Sequence, residues 1–182
     1  MKRSELPTPC FVVSETALRH NLEILAGVQK RTGAKILLAQ KAFSMYRVYP
    51  LIADYLSGAC ASGLFEARLA KEEMGGENHV FSPAYTQEEM RELTAICDHI
   101  VFNSFSQLER HRAVWQASGA SVGIRVNPEC STQEGHAIYD PCAPFSRLGV
   151  TRANFRPDLL EGVEGLHFHT LCEQNSDDLV KT

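Results

Sequence analysis

The sequence has no long apolar run. Its most apolar stretches, such as Ile36–Ala39 and Gly58–Ala61, fall far short of the ~18 residues of a membrane-spanning helix, and the N-terminus has no signal-type apolar core. A cytoplasmic protein without membrane contact is expected. Positive charge is also scarce: 18 Lys and Arg stand against 22 Asp and Glu, for a formal net charge of −4. Without a sizeable basic cluster, a surface that tracks nucleic-acid phosphates has no support. The six cysteines (Cys10, Cys60, Cys97, Cys130, Cys142 and Cys172) include no C-x-x-C pair, which argues for reduced, semi-buried thiols over a disulfide framework. No metal is expected either, because the tight histidine pair, His167 and His169, alternates along an apolar run and is expected to splay to opposite faces. Nucleotide loops of the G-x-G-x-x-G or P-loop kind are missing, and no serine nucleophile elbow is expected.

What is present is a regular alternation of short apolar runs with helical patterns. The 182 residues are 44% hydrophobic and 22% charged, ordinary for a single globular domain or part of one. After a first run at Cys10–Val13, Ser14 is placed to cap a helix with Leu18, Leu22 and Leu25 on one face. Strand candidates follow at Lys35–Ala39, Gly58–Ala61, His79–Ser82, His99–Phe102, Ser121–Val126 and Gly165–His169. Helices are expected through Val48–Leu56, Leu64–Met74, Thr86–Ile96 and Ser106–Ala117. Thr86 and Glu89 form a capping box, and Gly75–Gly76 reads as a helix C-cap.

Strands separated by helices imply a parallel sheet, either doubly wound and open or a (β/α) barrel. A closed eight-stranded barrel typically takes ~250 residues, so a barrel would reach only about its sixth strand. In either fold the chemistry belongs at the C-terminal strand ends. Lys41, Ser62, Ser82, Asn103, Arg125 with Asn127, and His169 with Cys172, Glu173 and Gln174 fall there. Lys41 closes an apolar strand, where a lysine can be desolvated and serve as a Schiff-base nucleophile; a lysine that snorkels to water fits the same spacing. His169 can stack, donate a proton or bind a phosphate, and Arg147, in the long Pro-containing loop Tyr139–Val150, can pair with a phosphate or carboxylate. A satisfied core histidine and a surface-turn arginine remain the alternatives.

Taken together, Thr8–Val13, Leu37–Ser44 and Ala61–Arg68 resemble the alanine racemase-like, fold type III enzymes that use pyridoxal 5′-phosphate (PLP). Phe81–Tyr85, Phe102–Ser104, Tyr139–Val150 and Gly165–Gln174 resemble the carboxynorspermidine/carboxyspermidine decarboxylase family in particular. The resemblance implies a PLP-binding (β/α) barrel over residues 14–182, interrupted near its sixth strand and lacking the family's C-terminal β-domain, with residues 1–13 contributing a strand to that domain. It implies Lys41 as the PLP-bearing catalytic lysine and His169 and Arg147 as cofactor contacts, with Ser62 expected beside them; Cys172 and Glu173 are expected substrate contacts, a solvated loop glutamate being the alternative for Glu173. The implied reaction is decarboxylation of carboxynorspermidine or carboxyspermidine to norspermidine or spermidine, by a homodimer. An isolated chain of this length is expected to be inactive. Two residues depart from the family pattern: Gln40 stands where a small apolar residue is usual, and Phe145 where glycine is expected. The competing readings are a non-enzymatic PLP-carrying barrel, another decarboxylase or racemase of the same fold, and an assembly domain without cofactor.

Overall fold

The computed structural model describes residues 3–134 and 137–182. After a 3-10 turn at Arg3–Glu5 comes helix α1 (Glu15–Thr32), begun by Ser14, whose side chain accepts from the Ala17 amide, and ended by Gly33 at φ 74°. Strand β1 (Leu37–Ala39) leads through a 3-10 turn to α2 (Tyr49–Ala53). Strand β2 (Gly58–Ala61) is followed by α3 (Leu64–Leu69), which runs into a π-helical turn over Ala70–Met74. Strand β3 (Glu77–Phe81) precedes α4 (Gln87–Ile96), where the Thr86/Glu89 capping box is formed as expected. Strand β4 (His99–Phe102) leads to α5 (Phe105–Arg110) and α6 (Arg112–Trp115), one expected helix broken at His111. Strands β5 (Ser121–Arg125) and β6 (Gly165–His167) are separated by a long loop, and α7 (Ser176–Lys181) closes the chain.

The six strands are all parallel and stand in sequence order, β1 to β6. A doubly wound sheet reverses its order at a switch point; this one never does, so the arrangement is an arc of a (β/α) barrel. Its register depends on a glycine at one tight spot. A Cβ on Gly58 would lie 1.9 Å from the Glu77 carbonyl oxygen, so only glycine lets β2 enter alongside β3.

Each strand alternates between two environments. Val80, Ile100, Phe102, Val122 and Ile124 face the helices and are at most 2% exposed, packed with Met90, Leu93, Leu108 and Trp115. Leu22, Tyr49, Ile52, Leu56, Ala59, Ala70 and Met74 make a second cluster around the first two strands. The opposite, concave side carries His79, Phe81, His99, Arg125 and His167, whose rings and guanidinium touch one another.

Three local expectations differ from the structure. Cys10–Val13 forms no strand and is largely exposed, with Phe11 at 95%, because no strand among the described residues offers it a partner. The first barrel strand begins at Leu37 instead of Lys35. The last ends at His167, leaving His169 in the loop beyond, with Leu166 and Phe168 exposed along the free edge of β6.

Candidate active site

The C-terminal rim of the arc is assembled by side chains that reach from strand ends to loops. Tyr85, buried behind the rim, accepts from the Ser82 amide at 2.8 Å and donates to the Val101 carbonyl at 3.0 Å, joining the ends of β3 and β4. Burial pushes its phenol well above the ordinary range, so it remains a donor. Asn103 reaches across to the long loop: its Nδ2 donates to the Arg147 carbonyl at 2.9 Å and its Oδ1 accepts from the Gly149 amide at 2.8 Å. Gly149, at φ 82°, has no room for a Cβ, which would lie 2.9 Å from the Asn127 nitrogen. These contacts bring Arg147 to the rim from a loop whose sequence alone does not place it.

The rim encloses a cavity of about 600 Å³. Lys41, Ser62, Arg125, Arg147 and His169 line it together with Phe81 and Tyr139. The four residues expected to contact a cofactor are therefore brought together. Cys172 and Glu173 are not among them; they line an adjoining cavity of about 770 Å³ with Glu134, Gln174, Asp177 and Asp178. Tyr139 borders both cavities. Gln133 and Gln174 shape the second one, Gln133 donating to the Cys172 carbonyl at 2.9 Å and Gln174 to the Thr132 carbonyl at 2.9 Å. Glu173 sits in the left-handed region at φ 58°.

Arg125 is the main addition to the sequence reading, which placed it at a strand end without assigning it to the site. It is 4% exposed, its guanidinium lies 4.6 Å over the Phe81 ring, and it pairs with no carboxylate among the described residues. Burial lowers its pKa. A buried, unpaired cation on a cavity wall is costly unless an anion meets it there. The available sequence signal was a lone arginine in the otherwise apolar run Val122–Val126.

Two expectations need correction. Lys41 is exposed in a turn beyond the end of β1, not desolvated. His167 and His169 do not splay apart: the charge of His169 acts on His167, and both imidazoles feel Arg125 and Lys41. Burial first, then those cations, lowers the His167 pKa to about 4 and shifts His169 in the same direction for the same reasons, so both rings are neutral at pH 7. Separately, three potential donor side chains meet across strands, where spacing along the chain cannot show them: Glu77, His79 and His99 each offer a ligand atom within 4.8 Å of the others. Gly119–Gly123 also spells the G-x-S-x-G pattern of a nucleophile elbow. Ser121, however, opens β5 instead of turning from a strand into a helix, so it lacks the exposed, strained geometry that motif requires.

The two departures from the family pattern have structural counterparts. Phe145 adopts φ 68°, the left-handed conformation that favours glycine, with its ring fully exposed. Gln40 is 1% exposed beneath Lys41, its Oε1 accepting from the Tyr49 hydroxyl at 3.4 Å and its Nε2 without a partner among the described residues.

Parallel order, apolar helix-facing layer and a cationic rim cavity define part of an alanine racemase-like (β/α) barrel. The crystal structure of carboxynorspermidine decarboxylase complexed with norspermidine from Campylobacter jejuni superposes with a TM-score of 0.85 at 38% identity, covering 97% of this chain and 44% of that one. Diaminopimelate decarboxylase from M. jannaschi, at 19% identity, shares the fold with a TM-score of 0.66 over 92% of this chain and 43% of its own.

In sequence, the chain is 41% identical over 96% of its length to a carboxynorspermidine/carboxyspermidine decarboxylase of Campylobacter jejuni, of which it covers 45%. It is 39% identical over 98% of its length to a carboxyaminopropylagmatine decarboxylase of Synechocystis sp., of which it covers 46%. No protein-family model matches. The chain is a homologue of part of the carboxynorspermidine/carboxyspermidine decarboxylases, and it spans a little under half the length of these curated relatives.

Proposed function

We propose that this chain supplies the cofactor-binding barrel of a cytoplasmic, homodimeric, PLP-dependent decarboxylase of carboxylated polyamines, with carboxynorspermidine or carboxyspermidine as substrate. The observation that carries this reading is the pairing of two cavities across Tyr139. One is lined by Lys41, Arg125, Arg147 and His169, the other by Glu134, Glu173, Asp177 and Asp178. A phosphorylated aldehyde fits the first in charge, because buried Arg125 lacks an anionic partner among the described residues and Lys41 offers the amine. A chain of ammonium groups fits the second, where carboxylates attract cations and are not matched by Lys or Arg in the lining.

Within this reading Lys41 would hold the cofactor through its amine. What PLP supplies when bound is an electron sink for the pair left as the carboxylate departs as CO2. His169, neutral at pH 7, presents a flat ring suited to stacking. Ser62 and Arg147 provide polar contacts at the cavity edge, and Arg125, itself buried, compensates negative charge. Cys172 and Glu173 orient the polyamine. The near-equal identity to the Synechocystis enzyme favours one second reading, a carboxyaminopropylagmatine substrate in the same chemical class.

The test is to add PLP to the purified chain, reduce with borohydride and map the adduct by mass spectrometry. The expected result is one adduct at Lys41 that Lys41→Ala abolishes. Scattered adducts on surface lysines, or none on folded protein, would overturn the reading.

A further inference from the structure

The rim cavities leave unused a cluster at the other end of the sheet. Glu77 is the first residue of β3 and His99 the first of β4; His79 is paired in register with His99. Their imidazoles lie 4.1 Å apart at 31°, and His79 Nε2 is 2.9 Å from Glu77 Oε2. Lys35 bonds the other carboxylate oxygen, Oε1, which fixes the carboxylate and leaves Oε2 turned to the histidines. In a barrel interior this layer is ordinarily filled by branched aliphatic side chains. Two imidazoles and a carboxylate in their place call for a partner other than packing.

The geometry suits an ion. One donor atom from each residue lies within 4.8 Å of the others, and tetrahedral bonds of ~2.0–2.2 Å set donors roughly 3.4 Å apart. Binding would therefore draw these side chains closer together. Access exists as well: the Glu77 and His79 side chains retain 25% and 27% of their exposure. A space of about 300 Å³ bordered by His79, His99, Ser121, Glu164 and His167 leaves room for a water or the Glu164 carboxylate as a fourth ligand. Two nitrogen donors and one oxygen donor select borderline transition ions over magnesium and calcium, which prefer all-oxygen shells.

We propose that Glu77, His79 and His99 form a binding site for a divalent transition-metal ion of the zinc class that ties β3 to β4. Its place at the N-terminal strand ends, away from Lys41, makes it a stabilising site and not part of the rim chemistry. Lys35 orients Glu77 from behind, as outer partners of metal ligands do.

The experiment is to titrate the full chain with Zn2+ against a chromogenic chelator, following imidazole signals by 1H–15N NMR. The expected result is one ion per chain, shifts at His79 and His99, no competition by Mg2+, and affinity lowered at least about tenfold in His79→Gln and His99→Gln. No stoichiometric binding to the folded wild-type chain would overturn the proposal, as would shifts confined to His167 and His169. The NMR readout on wild-type protein decides the matter even where a variant fails to fold.

Discussion

The two faces of the sheet obey different rules. On the helix side, Ile100, Phe102 and Ile124 are fully buried among aliphatic and aromatic neighbours. On the concave side, residues one position away in the same strands are a histidine (His99), a glycine (Gly123), an arginine (Arg125) and a half-buried valine, Val101. Apolar burial at about 25 cal/mol per Å² makes the first face the source of stability. The second face gives up much of that contribution and in return holds unpaired polar groups where a ligand can reach them. Stability and chemistry are thus divided between the two sides of the same strands.

The sharpest way to break this comparison is to truncate equivalent positions on each face. Phe102→Ala should cost about 3–5 kcal/mol, because the cavity it leaves is sealed by helices. Val101→Ala should cost about 1 kcal/mol or less, since Val101 is only partly removed from water. Urea unfolding of both variants measures the difference, and equal losses would erase the distinction between the faces.

Next in size is the acid sensitivity of the concave face. His167 is held at about 4 by burial, then by Arg125, His169 and Lys41, against an ordinary 6.5. Below pH 6.5 the unfolded imidazole takes up a proton that the folded one refuses, so stability falls as pH drops from about 6.5 to about 4 and then levels off. A shift of this size corresponds to roughly 3 kcal/mol. His169, His79 and His111 are shifted in the same direction, each mainly by burial, and add to the slope. Unfolding curves across this range should flatten in His167→Asn; an unchanged slope would remove His167 from the account.

The smallest effect concerns the loop over the rim. Phe145 at φ 68° carries backbone strain that glycine would not, while glycine costs more chain entropy on folding. Phe145→Gly should therefore raise stability by about 0.5–1 kcal/mol, read as a higher Tm. A lower Tm would mean that the exposed ring makes a contact worth more than the strain.

Much of this fold was legible along the chain because its signals are local. Apolar runs of strand length, Ser14 and Thr86 at helix starts, and Gly75 at a helix end each act within a few residues, and the elements formed where those signals stand. Lys41, Ser62 and His169 were legible as one group because strand ends in a parallel sheet share a rim; Arg147 joined them only through the family resemblance. Cys10–Val13 forms no strand here, because an apolar β-prone run becomes a strand only when a neighbour accepts its hydrogen bonds.

The sequence by itself determined the order of strands and helices, their caps and the residues offered at the rim. Tertiary structure alone decided which of those residues meet. Asn103 captures Arg147 across 44 residues and Gln133 engages Gln174 across 41, while strand register sets His79 beside His99. The exposure of Lys41 and the burial of Arg125 were also decided there. Such contacts depend on loop closure and inter-strand register, which spacing along one chain does not encode.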